Sequence, residues 1–539
     1  MKKIIINNQK KGGDVMRFLG ILKIKIMALC LFMIITAGLF INCGGTGPEN
    51  ISDAADANNA KDNFDFDQGG IKNPDEEKTD GENPADMNLN SVEPRPDYEL
   101  PAKDFGGYNF RVISRSYASN AHWWSLDITA NEENGDPIND AVYQRNKKVE
   151  EKYNINITNN FSDDVGNTAA RSIKSGSDDY DLIVVGLLAG QEILSTQNLI
   201  VDLNNMPYID LTRPWWDQKA VEQLPIHGRL LAAPCDLTIR DKDATQIMTF
   251  SKKLISDYAL EDPYGLVVSG KWTFDKMLDM MKAVSRDLNG DGVIDDTDQF
   301  GLITQTANSR RLFNAAGEYI SKLNAGKIPE ITLYSERAAQ VIEKIKEIQS
   351  EYYTINAESM AGKYADIWDD FQIPAFSQNR ALFFHSGMNR VTLLRTMESD
   401  FGIIPPPKFD EFQENYYASV GAFPTSTVSV PITVADREKT GIILESLAYE
   451  GRYILLPAYY DINLKTKFAR DKESGAMIDI ILSNRLYDLC EMYNWGGVFA
   501  FFESVSAGRN ESLTVYWEKN GDRMISEMQK TIDRLDPPD

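Results

Sequence analysis

Between Ser285 and Gly301 the chain reads SRDLNGDGVIDDTDQFG, and its oxygen-bearing side chains are spaced for a cation. Asp287, Asn289, Asp291, Gly292, Asp295 and Asp298 fall at positions 1, 3, 5, 6, 9 and 12 of a twelve-residue loop. Val293 stands where a backbone carbonyl is needed and Ile294 where EF-hand loops place an apolar residue. Hard oxygen donors in this order suit Ca2+, so Asp287, Asn289, Asp291, Val293, Asp295 and Asp298 are the expected ligand set. Asp298 replaces the longer bidentate Glu, which tightens the coordination or leaves it incomplete. The plainer reading is an Asn-Gly-Asp-Gly turn that tolerates acids. A single loop flanked by a helix begun at Thr273 and a strand at FGLIT lacks the partner of a paired EF-hand. Its expected role is to fasten structure, not to sense calcium.

Ring faces are the second resource. Trp123, Trp124, Trp215, Trp216, Trp368, Trp495 and Trp517 could stack on sugar rings, and Trp124, Trp216 and Trp495 are the leading candidates. Burial in the core is the competing fate of any one of them. Trp272 in GKWTFDK precedes a helix-capping Thr273 and is assigned to the core. His385 ends an apolar strand, where a packing role competes with a ligand role. Cys235 reads as a small buried residue. Paired acids such as Asp369/Asp370 and Asp295/Asp296 could suggest a glycosidase, but adjacent acids point in different directions. No nucleophile elbow, P-loop, dinucleotide glycine fingerprint or zinc spacing occurs, so a binding protein is expected and not an enzyme. With three histidines, a His-based zinc or triad site is not expected.

The elements that must position these residues alternate between strand and helix. YNFRVIS (Tyr108–Ser114) reads as a strand. PINDAVYQRNKKVEEKY carries Ile138, Val142, Val149 and Tyr153 on one helical stripe, and Ile155–Ile157 follows as a strand. Leu182–Val185 and ALFFHSG are apolar runs of the kind buried on both faces of a parallel sheet. ISKLNAGK and QVIEKIKEIQSEYY read as later helices. No internal repeat is visible. The expected class is α/β, with ligands at the carboxyl ends of parallel strands.

The whole chain of 539 residues suffices for two or three domains, and its net charge of −24 argues against nucleic-acid binding. Four cysteines are too few for a disulfide scaffold. Arg17, Lys23 and Lys25 precede an apolar run from Ile26 to Ile41 and then Cys43, the layout of an export signal starting at Met1 or Met16. It resembles a bacterial lipoprotein signal, which implies a lipid on Cys43 and a signal peptide at 1–43, with an uncleaved membrane anchor as the alternative. Residues 44–104 are Gly-, Asn-, Asp- and Pro-rich and are expected to form a disordered acidic tether. The implied place is the extracellular face of the cytoplasmic membrane, lipid-anchored.

Several blocks carry a family resemblance: AVYQRNKKVEEKYNINI, DYDLIVVGLLAGQEILSTQNLIVDLNNMPYIDLTRPWWDQ, HGRLLAAPCDLT, SGKWTFDKM, DFGIIPPPKFDEFQENYYASVG and LLPAYYDINLKTKFARD. Their order resembles the bacterial extracellular solute-binding proteins of family 1, the maltodextrin-binding-protein-like receptors of ABC importers. The resemblance implies a type II periplasmic-binding fold, with two α/β lobes joined by a hinge crossed three times and a ligand cleft between them. Mapped here, the first lobe covers 105–247 and 387–450, and the second covers 248–386 and 451–539. The implied function is capture of an oligosaccharide by hinge closure and delivery to permease subunits, by a monomer. A receptor for peptide or another polar solute is the alternative, and a cell-surface carbohydrate-active enzyme is the alternative outside that class.

By the same resemblance the ligand-contacting positions fall at Ser114, Gly186, Asp236, Thr238, Gln305, Asn308, His385 and Met388, beside the candidate tryptophans Trp124, Trp216 and Trp495. Asp236, Gln305 and Asn308 are the expected partners of hydroxyl groups. Met388 stands where the maltodextrin receptor has a stacking Trp, and GLLAG lacks that receptor's Trp, Asp and Arg, which argues against maltodextrin itself and leaves a different oligosaccharide open.

Overall fold

The computed structural model describes residues 95–117, 125–350, 352–460, 472–509 and 511–536. Strand β1 (Tyr108–Arg115) lies between β2 (Ile155–Ser162) and β3 (Leu182–Gly186), parallel to both. Helix α1 (Pro137–Tyr153) crosses from β1 to β2; Pro137 opens it, and Asp136 caps it by accepting from Asn139 N. Helix α2 (Val165–Lys174) crosses from β2 to β3. After the short helix α3 (Arg240–Asp243), a second sheet forms. It contains β4 (Gln246–Ser251), β5 (Phe300–Thr304), β6 (Thr354–Asn356), β7 (Ala381–Gly387) and β8 (Phe401–Ile404) in the spatial order β8-β4-β7-β5-β6. Helices α4 (Phe274–Val284), α5 (Asn308–Ala315) and α6 (Glu336–Ser350) accompany it. A two-residue β9 (Ala418–Ser419) follows, and then β10 (Ser426–Ser429) returns to the first sheet, antiparallel to β3. The chain continues with α7 (Arg437–Tyr453), α8 (Leu455–Tyr460), α9 (Lys472–Ser483), the short β11 (Arg485–Leu486) paired to β9, and α10 (Leu513–Leu535).

The apolar runs read as strands are strands: β3 and β7 are buried almost throughout. Trp272 is fully buried, and its Nε1 donates to Pro405 O at 2.9 Å. Both sheets are mixed, however. β10 in the first sheet, and β4 against β7 and β8 in the second, run antiparallel where parallel strands were expected.

Three further expectations need correction. ISKLNAGK is a hairpin arm, Ser321–Leu323 pairing with Pro329–Ile331. Asn324 Oδ1 accepts from Gly326 N at 2.9 Å and from Ile328 N at 3.1 Å, a local alternative to helix that short polar side chains favour. The lobe boundary at 387 is too early, because β8 hydrogen-bonds to β4 in the second sheet. The boundary at 450 is too early as well: α8 packs on Ile138 and Val142 of α1. Nothing in the local composition marks either passage.

Residues 95–104, expected to belong to the disordered tether, are packed onto the folded body, while residues 44–94 of that expectation lie outside the described residues. Residues 95–104 lie along α7, with Arg95 paired to Glu450 and its Nε donating to Tyr449 Oη at 2.9 Å. Tyr98 Oη donates to Glu445 Oε1 at 2.9 Å, and Lys103 Nζ meets Glu438 Oε2 at 2.8 Å. A few anchors suffice to hold a strap that would form no core of its own.

Glu445 is the centre of that packing. It is fully buried, and Trp215 Nε1 and Trp216 Nε1 donate to its two oxygens at 2.9 and 3.0 Å. Burial pushes its carboxyl up to about 7 from 4.5, against the opposing pull of these donors. Between those two values the folded chain holds a proton that the unfolded chain releases. This contribution to stability is therefore full below pH 4.5 and lost as pH rises through about 7, a change of about 3 kcal/mol. Glu445→Gln is expected to remove that part of the slope. Urea unfolding at pH 5, 6, 7 and 8 would show it, and parallel slopes in the two proteins would refute the assignment.

Candidate functional site

Parallel strands gather their carboxyl ends on one edge, and in both sheets that edge faces a chain crossover. In the first sheet the edge is formed by Arg115, Ser162 and Gly186, with Ser426 of β10 opposite Gly186. In the second it is formed by Thr304, Asn356 and Gly387, with Gln246 of β4 opposite Gly387. The chain enters the second sheet through α3 and returns to the first through 418–425. These two passages run side by side: Thr245 bridges Val420, and Gly421 N donates to Ala244 O at 3.1 Å.

Buried charges tie the passages down. Lys242 Nζ lies 2.7 Å from Asp236 Oδ1 and 3.0 Å from Asp241 Oδ2. Arg485 of β11 reaches Asp241 at 2.7 Å and Asp217 at 2.9 Å, and Tyr487 Oη donates to Asp217 at 2.6 Å. Burial raises Asp241 despite Lys242 and Arg485. At Asp217 burial opposes ionisation, yet Arg485 and the Tyr487 hydroxyl hold it below its ordinary value. Arg240 pairs with Asp243 at 2.8 Å, and Tyr459 Oη donates to Asp243 at 3.0 Å.

Gly186 is required here. A Cβ on it would come within 2.5 Å of Arg115 Nη2 and 2.7 Å of Phe423 O. Its bare backbone lets β1, β3 and the second passage meet. Arg115 Nη2 donates to that same Phe423 O at 2.9 Å, with its guanidinium 5.0 Å from the Phe423 ring centroid. From the other side, Arg311 of α5 lies against Gly421, where a Cβ would meet its Nη2 at 3.4 Å. Arg311 Nη1 donates to Asn308 Oδ1, and Asn308 Nδ2 donates to Thr304 Oγ1 at 3.0 Å and His385 O at 2.9 Å. His385 is fully buried with both ring nitrogens lacking a hydrogen-bond partner; burial, then the Arg311 charge, lowers it to about 3.

The expected ligand residues divide accordingly. Gly186, Asn308 and His385 lie at this edge, and Gln305 follows β5, half-exposed, with its Nε2 3.5 Å from Gln372 Oε1. The others are occupied elsewhere. Trp216 is 1% exposed and held by Glu445, while Trp495 is 2% exposed, donates to Thr531 Oγ1 at 2.9 Å and stacks on Tyr493. Neither presents a ring face to a ligand. Met388 packs with Ile247, Val391 and Ile403. Ser114 Oγ contacts Asn159 Oδ1 at 2.9 Å, Asp236 is taken by Lys242 and Arg452, and Thr238 Oγ1 accepts from Arg240 N at 3.3 Å. Trp124 and Cys43 lie outside the described residues. Sequence reasoning missed Arg115 and Arg311, whose signal was their place directly after a strand and in the first turn of the next helix. It also missed Phe423, an exposed aromatic ring at the second passage.

In the Asp287–Asp298 loop the side chains fold back onto the backbone. Gly290 N and Gly292 N donate to Asp287 at 2.6 and 2.8 Å, and both glycines adopt positive φ. Asp298 is fully buried and accepts from Leu288 N and Asp295 N, each at 2.8 Å. Asp296 pairs instead with Lys363. Among the described residues no three His, Cys, Asp or Glu side chains are gathered closely enough to hold a metal. Beside this loop, a cavity of about 620 Å³ lies against the edge strand β6, bounded by Ile294, Phe300, Asn356 and Ser506.

No family model and no curated protein matches the sequence. Solved structures do. A cyclo/maltodextrin-binding protein complexed with maltotetraose superposes with a TM-score of 0.50 at 14% identity, over 81% of this chain and 99% of that one. UspC of M. tuberculosis gives 0.50 at 12% identity, over 78% and 100%. The fold is that of the maltodextrin-binding proteins. This agrees with the fold implied by the sequence blocks.

Proposed function

We propose that the chain is the extracellular substrate-binding component of an ABC importer and captures an oligosaccharide between its two sheets. The observation that carries this reading is the meeting of both carboxyl edges at two adjacent crossovers, in a fold shared with a protein solved around maltotetraose. Gln305 would meet ligand hydroxyls, and Phe423 would offer a ring face, while Asn308, fully buried and bonded to Thr304, His385 and Arg311, would hold the edge in place. The lobes would divide near 236–245 and 418–425. Closure must be driven by a ligand that contacts both sheets in the closed state and mainly one in the open state. The chain is not proposed to turn its ligand over.

The Asp287–Asp298 loop would bind Ca2+ as a structural fastener. Its donors are hard oxygens in the right order, and Asp287 accepts from the Gly292 amide across the turn. Cys43 would carry the lipid that holds the protein beside its permease partner. The support is its position after the apolar run. Among the described residues no helix is long and apolar enough to cross a membrane.

Small-angle scattering of the full chain with and without a glycan found by thermal-shift screening tests the central reading. A smaller radius of gyration on binding is expected; a tight ligand that leaves it unchanged, or is hydrolysed, would overturn it. Calcium at a hundredfold excess over Kd adds about 2.7 kcal/mol, so a chelator should lower Tm and Asp291→Asn should abolish that response. An identical Tm with and without chelator would remove the ion. Mass spectrometry should find a diacylglyceryl group on Cys43, and an unmodified Cys43 in the membrane fraction would end that assignment.

A further inference from the structure

Two cations at the crossovers form no ion pair with a carboxylate among the described residues. Arg115, at the end of β1, and Arg311, in the first turn of α5, approach the same turn, Gly421–Phe423, from the two sheets. Arg115 Nη1 and Arg311 Nε are enclosed without a hydrogen-bond partner, although both residues remain partly open to water. The acids nearby are committed: Asp243 to Arg240 at 2.8 Å, Glu491 to Arg310 at 2.5 Å, and Glu358 to the Thr306 amide at 3.0 Å. The charges that reach Arg115 come from Arg240, another cation, and burial with that neighbour lowers Arg115 to about 10. Burial, helped by the neighbouring Arg310, likewise brings Arg311 down to about 10, against the pull of Glu491 and Glu358. An enclosed guanidinium without a counter-charge is costly, and such cost is tolerated where a ligand compensates it. The guanidinium fork matches a planar or tetrahedral oxyanion with two parallel hydrogen bonds, which a neutral hydroxyl cannot return.

We infer that the ligand held between the sheets is an acidic oligosaccharide, whose carboxylate or sulfate group is bound by Arg115 and Arg311 together. The inference rests on the carbohydrate reading above and deepens it. Phe423, under the Arg115 guanidinium, would keep that group oriented and lie beside the charged sugar ring. The chain's net charge of −24 opposes the approach of an anion, so the attraction must come from this local pair of cations.

Calorimetric titration of the full chain tests it with tetrasaccharides of matched length: maltotetraose, cellotetraose and mannotetraose as neutral probes, tetragalacturonate and tetramannuronate as carboxylate probes, and a chondroitin sulfate tetrasaccharide as the sulfate probe. At least one acidic probe should bind tenfold or more tightly than every neutral one, and added salt should weaken it. Which acidic arm binds separates uronate from sulfate. Arg115→Gln and Arg311→Gln should each weaken that probe tenfold or more while leaving Tm unchanged or higher, because an uncompensated charge has been removed. Should either fail to fold, Arg115→Lys and Arg311→Lys keep the charge, lose the fork and should give a smaller loss. Neutral probes that bind as well as acidic ones, or variants with parental affinity for the acidic probe, would overturn the inference and leave the carbohydrate reading standing. If no glycan of either kind binds, both fall together.

Discussion

The structure depends on a buried ionic network at the place where the chain passes between its sheets. Lys242 sits between Asp236 and Asp241, and Arg485 joins Asp241 to Asp217. Single partners cannot be removed without stranding a charge away from water, which costs about 3–5 kcal/mol in comparable settings. The network therefore specifies one path for the passage, even if an apolar equivalent would be as stable. That path determines which residues arrive at the facing edges: Gly186 because nothing larger fits beside Arg115, and Asn308 because it bridges β5 to β7.

Much of the scaffold was legible in the sequence. Pro137 and the Ile138/Val142/Val149 stripe specify α1, and the apolar runs at Leu182 and Ala381 specify strands buried on both faces. These signals are local and periodic. The hairpin at Ser321 was hidden because its cause is a side-chain bond, Asn324 onto the turn, and not a period. The lobe boundaries were hidden because β8 joins its sheet through pairing with a strand 150 positions earlier in the chain.

The candidate site was less legible, for a physical reason. Trp216 and Trp495 look like sugar platforms until Glu445 and Thr531 are seen to hold their indole nitrogens in the core. Asp236 looks like a hydroxyl acceptor until Lys242 is seen to neutralise it. Whether a polar residue is spent on its own protein or left for a ligand is a property of its partners, and partners distant in sequence cannot be counted from one chain segment. Arg115 and Arg311 stand out only in three dimensions, as cations that each enclose a nitrogen with no hydrogen-bond partner.

The strap at 95–104 bears on mechanics. It enters beside Glu450, near the end of α7, and runs back toward Glu438. One residue after Glu450, Gly451 packs so tightly on the first crossover that a Cβ would lie 2.0 Å from Asp236 O. Arg95, where this strap begins, therefore lies close to the passage about which two halves joined at these crossovers would turn. A point near a pivot sweeps a short arc, so a pull applied at Arg95 would exert almost no torque between such halves.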